Sequence, residues 1–321
     1  MQKLIVLACA AQLSLAGPAQ AADTYPNKTV RIVVPYATGG GSDILARQIG
    51  ARLQQVWGQA VVVENKAGAS GNIGSQEVVS SLPDGYTLLL QNSTMVTNLA
   101  VNGKLPYDPQ KDLTPILLLG ITPIALAAHP SAQVSTIKEL IAAAKAKPEG
   151  FSYGSCGVGT PQHFVMELFK QKTGVAAVHA GYKGCSPALT DVAGGQIPLA
   201  IVSANLVSQY AKSGQLKVLA VSTAQRYSLL PDTPTFEEAG LKPFDFSIWY
   251  ALMGPPKLPA AIVAKLAADV EAVLAEPSVR SNLSKAGVEP FRGNAQELTE
   301  LIRTDTVRYS QLAKSANIKA E

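Results

Sequence analysis

Histidine and cysteine are scarce in this chain, with three of each in 321 residues. The histidines stand apart at positions 129, 163 and 179, and no His/Cys/carboxylate group has the spacing of a metal site, so no metal is expected. H-E-x-x-H, C-x-x-C, G-x-S-x-G and the Walker A sequence are all missing, and no glycine-rich stretch fits G-x-G-x-x-G. These absences remove the readable signatures of zinc hydrolases, thiol oxidoreductases, α/β-hydrolases and nucleotide binders, and no cofactor is expected. Charge is thin as well: 16% of residues are charged and the formal net charge is +4, without a basic run. A nucleic acid or an anionic membrane surface is therefore not an expected partner. No apolar run is long enough to cross a bilayer as a helix.

What the chain does contain begins with an export signal. Lys3 starts it, Leu4 to Ala16 is a short apolar run, and Ala19-Gln20-Ala21 is an A-x-A cleavage site, so cleavage is expected near Ala21 or Ala22 and the destination is the periplasm. Cys9 lies too near the start to follow a hydrophobic region, which argues against lipid attachment. With residues 1–22 removed, 321 − 22 leaves 299 residues, more than one core usually fills, and two lobes are expected.

Short β-rich runs alternate with helical stretches, the pattern of an α/β protein with mostly parallel sheets. Arg31-Ile32-Val33-Val34 is a strand, Pro35 to Gly41 a glycine loop, and Ser42-Asp43 open a helix with an apolar stripe at Leu45, Ile49, Leu53 and Val56. Glycines let the backbone approach a ligand, and the free N–H groups at a helix start favour an anion. A tight turn capped by Ser42 or Asp43, with no ligand, fits the same residues. About 120 residues later the grammar recurs: Phe151-Ser152-Tyr153 is a strand, Gly154 to Pro161 a glycine loop, and a helix follows through Phe164, Leu168 and Phe169. Two similar lobes facing one cleft are the natural reading. Ile121 to Ala128, with Pro123 inside it, reads as an edge or crossing strand. The lobes are expected at 23–123 with 225–321, and at 124–224.

His129 and His179 sit on or beside apolar strands and are expected to be structural. His163 opens the second helix, where a cleft-facing role and a packing role are equally open. A catalytic Ser155/His163 pair lacks an orienting acid nearby. Cys156 and Cys185 occupy neighbouring glycine loops, and in an oxidising compartment such a pair suits a disulfide, with two buried thiols as the alternative. A bridge would close a loop of roughly 30 residues, which stabilises by about 3 kcal/mol in the chain-entropy treatment.

Several segments, in order, resemble the Bug family of periplasmic solute-binding proteins of tripartite tricarboxylate transporters. They are Pro35 to Asp43, Val61 to Gly74, Pro83 to Leu88, Tyr153 to Thr160, Tyr182 to Leu189 and Pro231 to Thr235, and the likeness runs from about Tyr25 to Pro290. The resemblance implies a two-lobed periplasmic-binding-protein fold that holds a small carboxylate between the first loops of the two lobes. It implies a non-enzyme, monomeric, whose partners are that ligand and membrane transport subunits. Carried over, the ligand set is Tyr36, Thr38, Gly39, Gly40, Ser42 and Asp43 from one lobe, and Ser155, Gly157, Thr160 and His163 from the other. Tyr182 and Lys183 join them from a neighbouring loop, with Ser93 and Thr94 after the Leu88–Leu90 strand.

Asp43 is expected to cap its helix or order a water, and Lys183 to be a counter-ion or a solvated lysine. Where many relatives carry an acidic or amide residue, this chain has Pro198 and then Val202-Ser203. A less polar far end to the pocket follows, which favours an aliphatic or aromatic dicarboxylate over an amino acid. Serine is common in the family at Cys156 and Cys185, and the change of both favours a bridge. Two rival classes remain: a secreted hydrolase using Ser155 or Cys156, and a ligand-sensing partner of a membrane receptor.

Overall fold

The computed structural model describes residues 25–147, 150–291 and 293–319. The export signal, Cys9 and Pro148 lie outside the described residues.

The first unit opens with strand β1 (Val30–Val34), helix α1 (Gly41–Trp57), strand β2 (Val61–Asn65) and helix α2 (Asn72–Val79). Strand β3 (Thr87–Asn92) and helix α3 (Thr94–Asn102) follow. Strand β4 (Thr114–Ala128) leads to helix α4 (Ile137–Ala146), strand β5 (Ser152–Ser155) and helix α5 (Pro161–Thr173). Then come β6 (Val178–Gly181), α6 (Cys185–Ala193), β7 (Leu199–Ser203), α7 (Ala204–Lys212) and β8 (Lys217–Val221). The chain ends with β9 (Ser247–Gly254), α8 (Ala260–Ala275), α9 (Pro277–Lys285), the short β10 (Gly293–Asn294) and α10 (Ala295–Ser315).

The strands line up in the order β2-β1-β3-β9-β4-β7-β5-β6, with β8 and β10 also paired to β4. Outer pairs are parallel: β1 with β2 and β3, and β5 with β6 and β7. The centre is antiparallel, because β9 and β4 run against their neighbours. Ile121–Ala128 is thus part of a central crossing strand and not an edge. From Thr114 to Pro123 β4 pairs with β9, and from Ile124 to Ala128 it pairs with β7 and β8. Pairing therefore changes sheet between Pro123 and Ile124. On the way back, Thr235 pairs with Val221, and the chain rejoins the first sheet at Ser247.

Sequence period explains how these elements pack. In α1, Leu45, Ile49 and Leu53 are buried as one stripe, whereas Val56 is 54% exposed. The strands β3, β4 and β9 are covered on both faces and read as continuous apolar runs. Helix α10 starts at an Asn294/Glu297 capping box. It lies across both sheets: Trp249 Nε1 donates to Asp305 Oδ2 at 2.9 Å, and Tyr309 packs edge-on to Phe164 at 5.0 Å. The chain then delivers strand–loop–helix junctions from both sheets to one cleft. That is where ligands bind in open α/β sheets, beyond the carboxyl ends of the strands.

Candidate functional site

A cleft of about 640 Å³ separates the two strand–glycine loop–helix junctions. Its first wall is built where β1 stops. Gly40 takes the N-cap position of α1 and contributes no side-chain cap, so Ser42 and Asp43 lie inside the first turn rather than before it. Asp43 faces away from the cleft. Its carboxylate accepts from Gly39 N at 2.9 Å and from Asn65 Nδ2 at 3.0 Å, and pairs with Arg47 at 2.9 Å. Burial alone would raise this carboxyl, but the hydrogen bonds from Arg47, Gly39 and Asn65 outweigh it and hold Asp43 below the usual carboxylate range. The negative charge thus shapes the glycine loop from behind.

Ser42 does line the cleft, and its hydroxyl accepts from Asn92 Nδ2 at 3.1 Å. Asn92 Oδ1 accepts in turn from the Thr94 N–H at 2.8 Å. Behind them the Tyr36 hydroxyl donates to Gln91 Oε1, and Gln91 Nε2 donates to Ser75 Oγ at 2.8 Å. Burial pushes the Tyr36 phenol well up, so it stays neutral. Ser93 is fully buried, its N–H donating to Trp249 O at 3.1 Å, and it is not part of the wall.

The second wall mirrors the first with different side chains. Thr160 caps α5, accepting from His163 N, and its own hydroxyl donates to Gly157 O at 2.8 Å. Ser155 is fully buried, with its Oγ 2.7 Å from His179 Nε2 and accepting from Gly157 N at 3.1 Å. His163 Nδ1 accepts from Gly159 N at 3.2 Å, and its ring stacks on His179 with centroids 3.9 Å apart. Burial, then the neighbouring His179, then Lys170 bring His163 down to about 3, which keeps it a neutral acceptor. Ser155, Gly157 and His163 therefore form the frame under the loop rather than its cleft-facing surface. His129 accepts from Ser131 N at 3.2 Å in a surface turn.

Cys156 and Cys185 are bridged, and both stand in the cleft wall. The bond ties the loop after β5 to the start of α6. Beside it Gln162 Nε2 donates to Ser203 Oγ at 3.0 Å. Tyr182 is turned away, its hydroxyl donating to Asp191 at 2.7 Å, and burial together with that carboxylate raises it to about 12. Lys183 is exposed and is not among the residues lining the cleft. Val202 is buried in β7 and Pro198 does not reach the cleft; of that segment only Ser203 lines it.

Of the residues expected at the ligand, Tyr36, Thr38, Gly39, Gly40, Ser42, Thr94, Thr160 and Ser203 meet in one wall-to-wall cleft. Asp43, Ser93, Ser155, Gly157, His163 and Tyr182 stand behind it. Asn92, Gln162, Asn205, Ile44, Leu206, Ile248 and Tyr250 line it without having been anticipated. Asn92 had a signal, a polar end on an apolar strand. Ile248 and Tyr250 had none, since β9 reads as a core strand and reaches the cleft only through sheet pairing. No charged side chain and no histidine lines this cleft among the described residues. Two helix starts, backbone N–H groups, hydroxyls and carboxamides are what it offers, a set suited to a small anion. Neither candidate nucleophile is free, because Ser155 is buried and Cys156 is disulfide-bonded.

Two crossing segments, two α/β sheets and a cleft between them define a periplasmic-binding-protein architecture. The tripartite tricarboxylate transporter family receptor (TctC) profile matches residues 45–318, and the chain belongs to this family. It is 36% identical over 310 residues to a UPF0065 protein of Bordetella bronchiseptica, covering 96% of this chain and 91% of that one. It is 32% identical to Protein BugT of Bordetella pertussis, covering 96% and 95%. Among solved structures it resembles the R. palustris protein Rpa4515 with adipate, at a TM-score of 0.82 and 34% identity, covering 92% of this chain and 99% of the other. Family and fold are those of substrate-binding proteins, not enzymes.

Proposed function

We propose that this chain is exported to the periplasm through residues 1–22 and captures a small organic carboxylate between its two lobes for uptake by a tripartite tricarboxylate transporter. One observation carries the reading: two glycine-loop helix starts, from α1 and α5, face each other across a cleft with no charged side chain. Partial positive charge and unpaired N–H groups at both helix ends would hold a carboxylate without an arginine. Tyr36, Thr38, Gly39, Gly40, Ser42 and Thr94 would hold it from one side, Thr160 and Ser203 from the other. Asp43, Ser93, Ser155, Gly157, His163 and Tyr182 would keep those groups in place.

The lobes are 23–123 with 225–321, and 124–224, and ligand that bridges them selects the closed state by hinge motion. The adipate bound to a relative makes dicarboxylates the first probes. The receptor acts as a monomer, and its partners are the membrane subunits of the transporter. A thermal-shift screen of the mature protein, stripped of ligand by unfolding and refolding, tests the reading. A carboxylate at 100 times its Kd should stabilise by about 2.7 kcal/mol. Stabilisation by amino acids, sugars or nucleotides alone would end it.

A further inference from the structure

The cleft does not end at Thr94 and Thr160. Both threonines also belong to the wall of a second chamber of about 370 Å³, so the two spaces adjoin at these residues. On one side stand Ser70 and Asn72 with the Thr94, Asn98 and Asn102 face of α3; on the other, Val158 and Gly159 of the opposite sheet's loop. Thr94, Asn98 and Asn102 follow at four-residue steps and share one helix face. The chamber opens to solvent past Ser70 and Asn102, both exposed, and narrows where Gly159 meets Val101: a Cβ built on Gly159 would lie 3.0 Å from Val101 Cγ2. Among the described residues no charged side chain lines it.

The three carboxamides have fixed orientations, and these can be read from one end. Asn102 Nδ2 donates to the backbone carbonyl of Asn98 at 2.9 Å, and a carbonyl only accepts. The same Nδ2 donates to Asn98 Oδ1, which turns Asn98 Nδ2 toward Asn72, where it donates to Asn72 Oδ1 at 3.1 Å. Two groups are left over. Among the described residues Asn72 Nδ2 is a donor and Asn102 Oδ1 an acceptor without a protein partner. One donor and one acceptor, with no charge near them, complement a neutral group that both accepts and donates.

We propose that this chamber is a second subsite, which takes the hydroxyl or carboxamide end of a ligand whose carboxylate is held in the main cleft. The proposal rests on the carboxylate reading above and sharpens it. A far carboxylate accepts only, so its oxygens would face the Asn102 Oδ1 acceptor and be repelled by it, with no cation in the chamber wall to compensate. An ammonium donates only and leaves Asn72 unanswered. A methyl end strips water from both amides and replaces none of it.

Isothermal titration of the mature protein would use straight-chain acids of four, six and eight carbons, each ending in methyl, carboxylate, hydroxyl or carboxamide. At the length that spans cleft and chamber, the hydroxyl and carboxamide acids should bind about tenfold tighter than the methyl and carboxylate ones, the effect of two neutral hydrogen bonds. Asn72→Leu and Asn102→Leu, each on the surface of its helix, should remove that advantage and leave methyl-ended acids unchanged. If dicarboxylates or methyl-ended acids bind as well at every length, or the advantage survives both substitutions, the subsite is wrong while the carboxylate reading stands. If no acid binds at all, both fall.

Discussion

Gly41, the first residue of α1, has the Tyr250 ring where a side chain would be, and a Cβ built there would overlap the phenol oxygen. Tyr250 cannot swing away freely, since it is buried with its hydroxyl 3.3 Å from Thr122 Oγ1. Gly41→Ala should therefore push the glycine loop out of place and cost about 1–3 kcal/mol of stability. In titration calorimetry it should weaken carboxylate binding by about tenfold or more, because a small displacement of positioning groups is felt strongly. His163 makes a different prediction at the same scale. Its folded-state value lies near 3, below the ordinary 6.5, so the unfolded chain takes up a proton that the folded chain refuses. Stability is fully present above 6.5 and declines as pH falls from there toward 3. Thermal melts should show that decline beginning at mildly acidic pH, before carboxylates titrate, and His163→Phe should flatten that early part.

Elements carry the next level. The strand–glycine loop–helix pattern was legible twice in the sequence because β-rich runs, glycine and 3.6-residue periodicity are local properties. The details of how each loop is held were not. Asp43 was expected to cap α1 or order a water, and its carboxylate braces the loop through Gly39, Asn65 and Arg47, two of which lie outside the loop and its immediate neighbours. Ser155 was expected at the ligand, and instead it anchors the second loop through His179, which arrives on a neighbouring strand. The Cys156–Cys185 bridge fastens that loop to the start of α6. Replacing both cysteines by serine should lower the melting temperature by about 5 °C, from roughly 3 kcal/mol of chain entropy in a domain of this size. Carboxylate affinity should drop as well, since both sulfurs stand in the cleft wall. Unchanged affinity in the double variant would show that the loop holds its shape without the bridge.

For the molecule as a whole, the relation between the two sheets decides function. They are joined by β4, which changes partners between Pro123 and Ile124, and by the return that ends at Ser247. Helix α10 braces the back while the cleft opens at the front. Where the loops meet, Gly159 lies against Val101, and a Cβ there would sit 3.0 Å from Val101 Cγ2. Gly159→Leu should hold the lobes apart: X-ray scattering should show less ligand-induced compaction than in the parent protein, and affinity should fall. The melting temperature without ligand should fall as well, because Gly159 has φ +72° and a side chain there strains the loop backbone by about 1–2 kcal/mol.

Local chemistry in the sequence determined the alternating α/β pattern, the two glycine loops, the capped helix start at Asn294, and the absence of catalytic and metal motifs. Those depend on residues a few positions apart, where backbone preference and side-chain period act directly. Tertiary structure alone decided which loop residues face the cleft and which stand behind it. It also decided that Ile248 and Tyr250 complete the wall from β9, and that three asparagines from α2 and α3 form one oriented cluster beside it. Such contacts join residues tens to hundreds of positions apart, and the register of a long shared strand, which no local pattern encodes, brings them together.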